Sequence, residues 1–333
     1  MLDLYSRIGV QIKSYSQYAG RVMVDAVHDE RVALMNDETR ELAAVHGSVL
    51  AGSGVTRRFV DAVPGERVHL IEHGDGRPLV MLHGSGPTSL QLLPLISRIS
   101  RSHVVAVDRP GFGLSDAHPW SGPRRNAAVE WLGTVLDALG LTSVDLLGSS
   151  AGGTWAIWFA LASPERVRRL VLVGAPPTLS ATAPPEPLRM VASIDPEDPP
   201  QMPPPSRETV VQSMAGMEEG ETIGRYPDLL DAMVAAAGDA TSGQAGLDER
   251  RALIAPDGWQ PATRTALGEL EGLKPSTLII WGRNDPLGGP EAARRVADAI
   301  PDSRLELLDA GHGPWLGHPD TVAKLVEEFV TAR

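Results

Sequence analysis

The sequence predicts an α/β fold. A mostly parallel, eight-stranded sheet carries helices on both faces, with a helical insertion after the sixth strand and a helical N-terminal extension. Three observations predict it. From about Val55 onward, short apolar runs alternate with segments of helical period. That alternation breaks where prolines crowd together from Pro176 to Pro205, and it resumes at Thr277. Before the break, Gly148-Ser149-Ser150-Ala151-Gly152 stands where an apolar run turns into a helix.

The totals set the frame. The 333 residues suffice for one large α/β domain with an insertion, or for two domains. A net charge of -12 argues against nucleic acid and strongly anionic membranes as partners, since both call for basic patches. With no cysteine there is no disulfide, thiolate metal site or thiol nucleophile. No basic-then-apolar leader and no stretch near the ~20 apolar residues of a membrane span is visible. The expectation is a cytoplasmic protein without metal or cofactor, acting on a small molecule.

Residues 1–54 read as the helical extension. Leu4, Ile8, Ile12, Tyr15, Ala19, Val22 and Ala26 make one apolar stripe, and Asn36-Asp37 can cap a second helix through Leu42 and Val45. Gly52-Ser53-Gly54 reads as a hinge. The stripe points to a contact with the protein's own core, as a brace on the inserted segment, or with a second copy, as a homo-oligomer through these helices; both are open.

Thr56–Val63 and Arg67–His73 read as strands around a Pro64-Gly65 turn. Leu79–Leu82 is a strand running into His83-Gly84-Ser85-Gly86-Pro87, followed by a helix over Leu90–Ser100. His103–Val107 is a strand ending in Asp108-Arg109-Pro110-Gly111-Phe112-Gly113-Leu114-Ser115. A helix spans Asn126–Leu139, a strand Val144–Leu147, a helix Ser150–Ala162 and a strand Leu170–Val173. Residues 178–265 form an inserted cap, with short helices near Glu208–Met214, Pro227–Ala237 and Asp248–Ile254. The core, 55–177 and 266–333, resumes with strand Thr277–Trp281, helix Pro290–Ile300, strand Arg304–Leu308 and helix Pro319–Val330.

Gly148-x-Ser150-x-Gly152 fits a nucleophile elbow, in which a sharp strand-to-helix turn lifts a serine hydroxyl clear of the sheet. A serine needs a base, and the base needs a partner that fixes its tautomer. The elbow predicts the chain order serine, acid, histidine, with the last two on loops after later strands. Asp285 ends the Thr277–Trp281 strand loop and His312 lies just past Arg304–Leu308. In a parallel sheet both loops share the edge where ligands bind. The rivals fit less well. Asp309 shares its loop with His312, His318 begins the last helix, His83 braces a loop, Asp108 braces a turn, and neither Ser149 nor Ser85 is central to the glycine-flanked bend. Oxyanion donors are expected at the amides of Ala151 and Ser85, with Gly86 as the alternative to Ser85.

These motifs, in this order, resemble the α/β-hydrolase superfamily, in the branch with a cap after the sixth strand. The resemblance runs from about Val55 to the C-terminus. A serine at the elbow departs from the epoxide hydrolases and haloalkane dehalogenases, which carry aspartate there. The loop His83-Gly84-Ser85-Gly86-Pro87 is similar to that of hydrolases cleaving carbon–carbon bonds in ring-fission products, although Ser149 stands where those often have asparagine.

The expected reaction is serine hydrolysis of a small-to-medium, largely apolar carboxylic ester or lactone through an acyl-enzyme, as in a carboxylesterase. The alternatives are carbon–carbon hydrolysis of a β-diketone or dienoate, and a non-catalytic ligand receptor on the same fold. Met214, Met217, Met233 and Trp259 are candidates for the pocket roof and Trp315 for its floor.

Overall fold

The computed structural model describes residues 37–332, apart from 87, 180–183, 185, 194–203 and 256. The apolar stripe from Leu4 to Ala26 lies outside the described residues. So does most of the surface expected to make either contact, the brace or the homo-oligomer.

Eight strands form one sheet. They are β1 (Thr56–Val63), β2 (Glu66–His73), β3 (Arg77–Leu82), β4 (Ser102–Val107), β5 (Val144–Ser149), β6 (Val167–Val173), β9 (Ser276–Gly282) and β10 (Ser303–Leu308), in the order β1-β2-β4-β3-β5-β6-β9-β10. β1 and β2 form an antiparallel hairpin, and β2 is antiparallel to β4. All other neighbours are parallel. A two-residue hairpin, β7 (Ile254–Ala255) and β8 (Gly258–Trp259), stands apart.

Alternate side chains of the central strands enter two different cores, because successive residues of a strand point to opposite faces. Val80, Leu82, Leu146, Ile279 and Trp281 pack on one face. Leu79, Met81, Leu147, Leu278 and Ile280 pack on the other. A sheet buried on both faces reads as continuous apolar runs, which is why the sequence shows runs here and no alternation.

Helices cover each face. The first core is closed by α3 (Arg124–Ala138), α4 (Ala151–Ala162) and α10 (Pro290–Ala299) through Trp131, Trp155, Phe159 and Val296. The second is closed by α1 (Asp37–Leu50), α2 (Leu93–Ile96) and α12 (Pro319–Thr331) through Leu50, Leu95, Ile96, Val322 and Val326.

Between β6 and β9 the chain leaves the sheet. It forms α5 (Glu186–Ala192), α6 (Arg207–Ala215), α7 (Gly220–Ile223), α8 (Pro227–Gly238) and α9 (Ala240–Leu253). The described part of the N-terminal extension, α1, packs along α8, and Thr39 Oγ1 donates to Asp239 Oδ2 at 3.2 Å.

Two helices depart from the sequence reading. The expected helix Leu90–Ser100 is a 3-10 turn, Ser89–Leu92, followed by the four residues of α2. Pro94 lacks an amide hydrogen and so cannot continue the first turn's hydrogen bonding. Asp248–Ile254 is the end of a longer helix, α9, whose start is capped by Asp239 Oδ1 accepting from the Ser242 amide at 2.8 Å.

Among the described residues no helix is long and apolar enough to cross a membrane.

Candidate active site

The C-terminal ends of β3, β5, β6, β9 and β10 lie along one edge of the sheet, because these strands are parallel. The loops at that edge carry Gly84–Gly86, Ser150, Gly174–Ala175, Asp285 and His312.

Ser150 links β5 to α4 with φ 51° and ψ -121°, in the left-handed half of backbone space that a side chain rarely adopts. Its flanking glycines are required by close approach. A Cβ on Gly152 would lie 2.2 Å from the Leu82 carbonyl oxygen, and one on Gly148 would lie 2.4 Å from that of Gly152. The bend therefore fits only where α4 starts against both β5 and the end of β3 without side chains between them.

Asp285 is buried and its carboxylate is held on three sides. Oδ2 accepts from the Ala175 amide at 3.0 Å and lies 2.9 Å from His312 Nδ1, while Oδ1 accepts from the Leu287 amide at 2.9 Å. Burial opposes a charged His312, but Asp285, joined by Glu219, outweighs it and raises the imidazole pKa above its ordinary value. Asp309, the rival acid, is exposed and accepts from Asn284 at 3.4 Å. His318 bonds the Asp309 carbonyl.

The loop after β3 is held by a buried polar network. Gly84 O lies 2.7 Å from His83 Nδ1 and accepts from Arg109 Nη2 at 2.6 Å. A trans peptide directs its N–H opposite to its C=O, so the Ser85 amide is aimed away from Arg109. His83 Nε2 accepts from the Arg109 amide at 2.9 Å, and burial lowers the His83 pKa to about 4. His83 is thus a neutral brace. Arg109 is fully buried. It is paired with Glu249 of α9 and lies 4.9 and 5.1 Å from the rings of Phe112 and Trp155. The Ser85 hydroxyl also bonds to Glu249.

A second polar cluster sits deeper, where His46 of α1, His69 of β2 and Asp108 come within 4.8 Å of one another. Their donor set could in principle hold a metal. The carboxylate is already occupied, however. It pairs with His69 Nδ1 at 2.7 Å and accepts from the Ser89 amide at 2.6 Å and the Leu114 amide at 3.1 Å. The cluster therefore braces the turn after β4, the role the sequence assigns to Asp108.

Ser150 and His312 open into one cavity of about 470 Å³ beneath the inserted segment. Ser85, Gly86, Met214, Met217, Met233, Trp259 and Trp315 line it as well. The sequence-predicted pocket residues are thus brought together, and the structure adds Gln91, Glu219 and Arg250. Arg250 of α9 has an Nε without a partner among the described residues, and burial lowers its pKa while Glu249 opposes that. No local motif announces Glu219 or Arg250: Glu219 falls between two expected helices and Arg250 in the charged start of the expected helix Asp248–Ile254.

The α/β-hydrolase fold model matches residues 77–319. A curated relative from Klebsiella pneumoniae, a 2-hydroxy-6-oxononadienedioate/2-hydroxy-6-oxononatrienedioate hydrolase, is 32% identical over 292 residues, covering 83% of this chain and 96% of its own. Among solved structures, the carboxylesterase CesB of Bacillus subtilis superposes with a TM-score of 0.71 at 22% identity, over 89% of this chain and 99% of its own. The meta-cleavage product hydrolase CumD of Pseudomonas fluorescens gives 0.67 at 24% identity, over 82% and 97%. At these identities the structural likeness is one of fold.

Proposed function

Because this chain belongs to the α/β-hydrolase fold family, we propose that it is a serine-nucleophile hydrolase of a carbon–carbon bond. The bond is the one beside the 6-oxo group of a 2-hydroxy-6-oxo-dienoate. The observation that carries this reading is Arg250, a cation without an Nε partner in the wall of a largely apolar cavity that also holds Ser150 and His312. Such a group is a receptor for a substrate carboxylate. The reading also draws on the Klebsiella relative, whose named substrates are dioates.

Ser150 Oγ attacks the 6-oxo carbon while His312 Nε2 takes its proton, and Asp285 holds the ring through Nδ1–H. The amides of Ala151 and Ser85 hold the oxyanion. In the 2-keto tautomer, the C3–C4 double bond conjugates C5 with the C2 carbonyl. When the C5–C6 bond breaks, its electron pair passes into that enone as a dienolate, and the imidazolium proton goes to C5. Water, deprotonated by His312, then attacks the acyl carbon and frees the acid and Ser150.

A second reading is hydrolysis of an apolar carboxylic ester or lactone by the same residues. The apolar wall of Met214, Met217 and Met233 favours it.

The test follows the loss of a 2-hydroxy-6-oxo-dienedioate chromophore beside a panel of aryl esters and lactones, with Ser150→Ala as control. The expected result is a kcat/KM for the dienoate above that for every ester, abolished in the variant. Ester turnover with an unchanged dienoate chromophore would replace the first reading by the second. Tight binding without turnover of either would point to a receptor.

A further inference from the structure

Among the described residues, two non-glycine residues have a positive φ, Ser150 at 51° and Glu218 at 59°. Strain of this kind persists only where the surroundings enforce it, and it collects at functional sites. Ser150 is the residue at the elbow. Glu218 belongs to the inserted segment, in the turn between α6 and α7, and the same turn lies against the loop that carries His312.

The contact between turn and loop is built from backbone and one carboxylate. The His312 amide donates to the Met217 carbonyl at 3.0 Å, and the Gly313 amide donates to Glu219 Oε1 at 2.9 Å. The approach leaves no room for a side chain at residue 311: a Cβ there would lie 2.6 Å from the Met217 carbonyl oxygen and 2.7 Å from the Glu218 Cβ. Glu219 itself is 2% exposed.

We propose that Glu219 is a positioning residue, a carboxylate supplied by the inserted segment that clasps the loop carrying His312 and fixes that ring's place in the cavity. With the Gly313 amide on the Glu219 carboxylate and the His312 amide on the Met217 carbonyl, the loop is held in one geometry, because releasing either contact would leave a donor unsatisfied. The charged groups that act on His312 are Asp285 on the β9 side and Glu219 on the inserted-segment side, and both favour the imidazolium. Burial pushes the Glu219 carboxyl up, against the opposing pull of the Gly313 bond and of His312. The left-handed Glu218 is what turns the chain so that Met217 O and Glu219 Oε1 both face residues 312–313.

The proposal assumes that His312 is the base, so the experiment includes a readout that needs no substrate. The His312 ring is titrated by NMR in the full-length protein, in wild type, Glu219→Gln and Glu219→Ala. The rate of fluorophosphonate labelling at Ser150 is measured across the same pH range. Glu219→Gln keeps an acceptor for the amides and removes the charge. Its ring pKa should fall, and its labelling rate at pH 6, taken relative to the rate at pH 8, should rise about threefold. Glu219→Ala removes the clasp too and should slow labelling at pH 8 about tenfold further than Glu219→Gln. A ring titration and a labelling profile that match wild type in Glu219→Ala overturn the proposal, whatever the stability of the variants. A shifted ring titration with no labelling of wild type at any pH would uphold the role of Glu219 and instead remove Ser150 as nucleophile.

Discussion

Asp285 and His312 meet across two loops, with Oδ2 2.9 Å from Nδ1, and the same oxygen is pinned by the Ala175 amide at 3.0 Å. The carboxylate can rotate away from the ring only by giving up a backbone hydrogen bond. Asp285→Asn keeps the size of the side chain but loses the charge and one of two acceptor oxygens, so it cannot serve the His312 ring and the Ala175 and Leu287 amides together. Its kcat should fall about 10⁴-fold with little change in KM. In wild type, kcat/KM should decline as pH drops through a limb lying above the ordinary histidine value, because His312 must be neutral to take a proton and its pKa is raised. Steady-state kinetics from pH 5 to 9 checks both.

Glu249 and Arg109 should be the pair whose loss costs most. Arg109 is fully buried, and removing its partner leaves a charge uncompensated in the core. Glu249→Ala should destabilise the fold by about 3–5 kcal/mol. It should also lower kcat, because Arg109 positions the Gly84 carbonyl and the Ser85 hydroxyl bonds to Glu249. Urea unfolding followed by tryptophan fluorescence measures the first effect and turnover at low temperature the second.

Arg250 should act on specificity. Arg250→Leu is expected to lower kcat/KM for a carboxylate-bearing dienoate about 100-fold, the loss of roughly 3 kcal/mol of charge-assisted bonding. Turnover of a neutral aryl ester should hold or improve. Stability should be maintained or rise, since a poorly solvated cation is replaced by an apolar side chain. Comparing the two substrates in both proteins, together with their melting temperatures, checks all three.

His46 and His83 should make the fold acid-sensitive. Burial lowers their pKa values to about 3 and about 4, below the ordinary 6.5 that the unfolded chain recovers. Between those values the unfolded chain binds protons that the native state refuses, so stability rises with pH across that window. It is fully present above about 6.5 and is lost as pH falls, each histidine adding a slope of about 1.4 kcal/mol per pH unit. Urea midpoints from pH 7 to pH 5 should fall, and His46→Leu should flatten that dependence.

Much of this was legible in the chain itself. The alternation of apolar runs and helical segments, the glycine-flanked Ser150, and an acid and a histidine at the ends of later strands are local patterns. Each arises because a few neighbouring residues must satisfy one backbone geometry. The same holds for Gly148, whose missing side chain the close approach of β5 and α4 demands, and for Gly152, which sits against the end of β3. Pro94, by contrast, interrupts a helical pattern that apolar periodicity alone predicts as continuous.

What the sequence by itself determined was the sheet, the elbow and the placing of Ser150, Asp285 and His312 at the ends of three strands. Only the tertiary structure decided which charges of the inserted segment reach them. Glu219 lies 94 residues from Gly313, and Glu249 lies 140 from Arg109. In the sequence nothing singles out Glu218-Glu219 or Glu249-Arg250-Arg251, because no periodicity or turn rule links residues so far apart. Folding the segment over the sheet edge takes two of these carboxylates and one guanidinium out of water. A group that is cheap on a surface becomes decisive once it is buried against the loop that carries His312, against Arg109 or in the wall of a cavity.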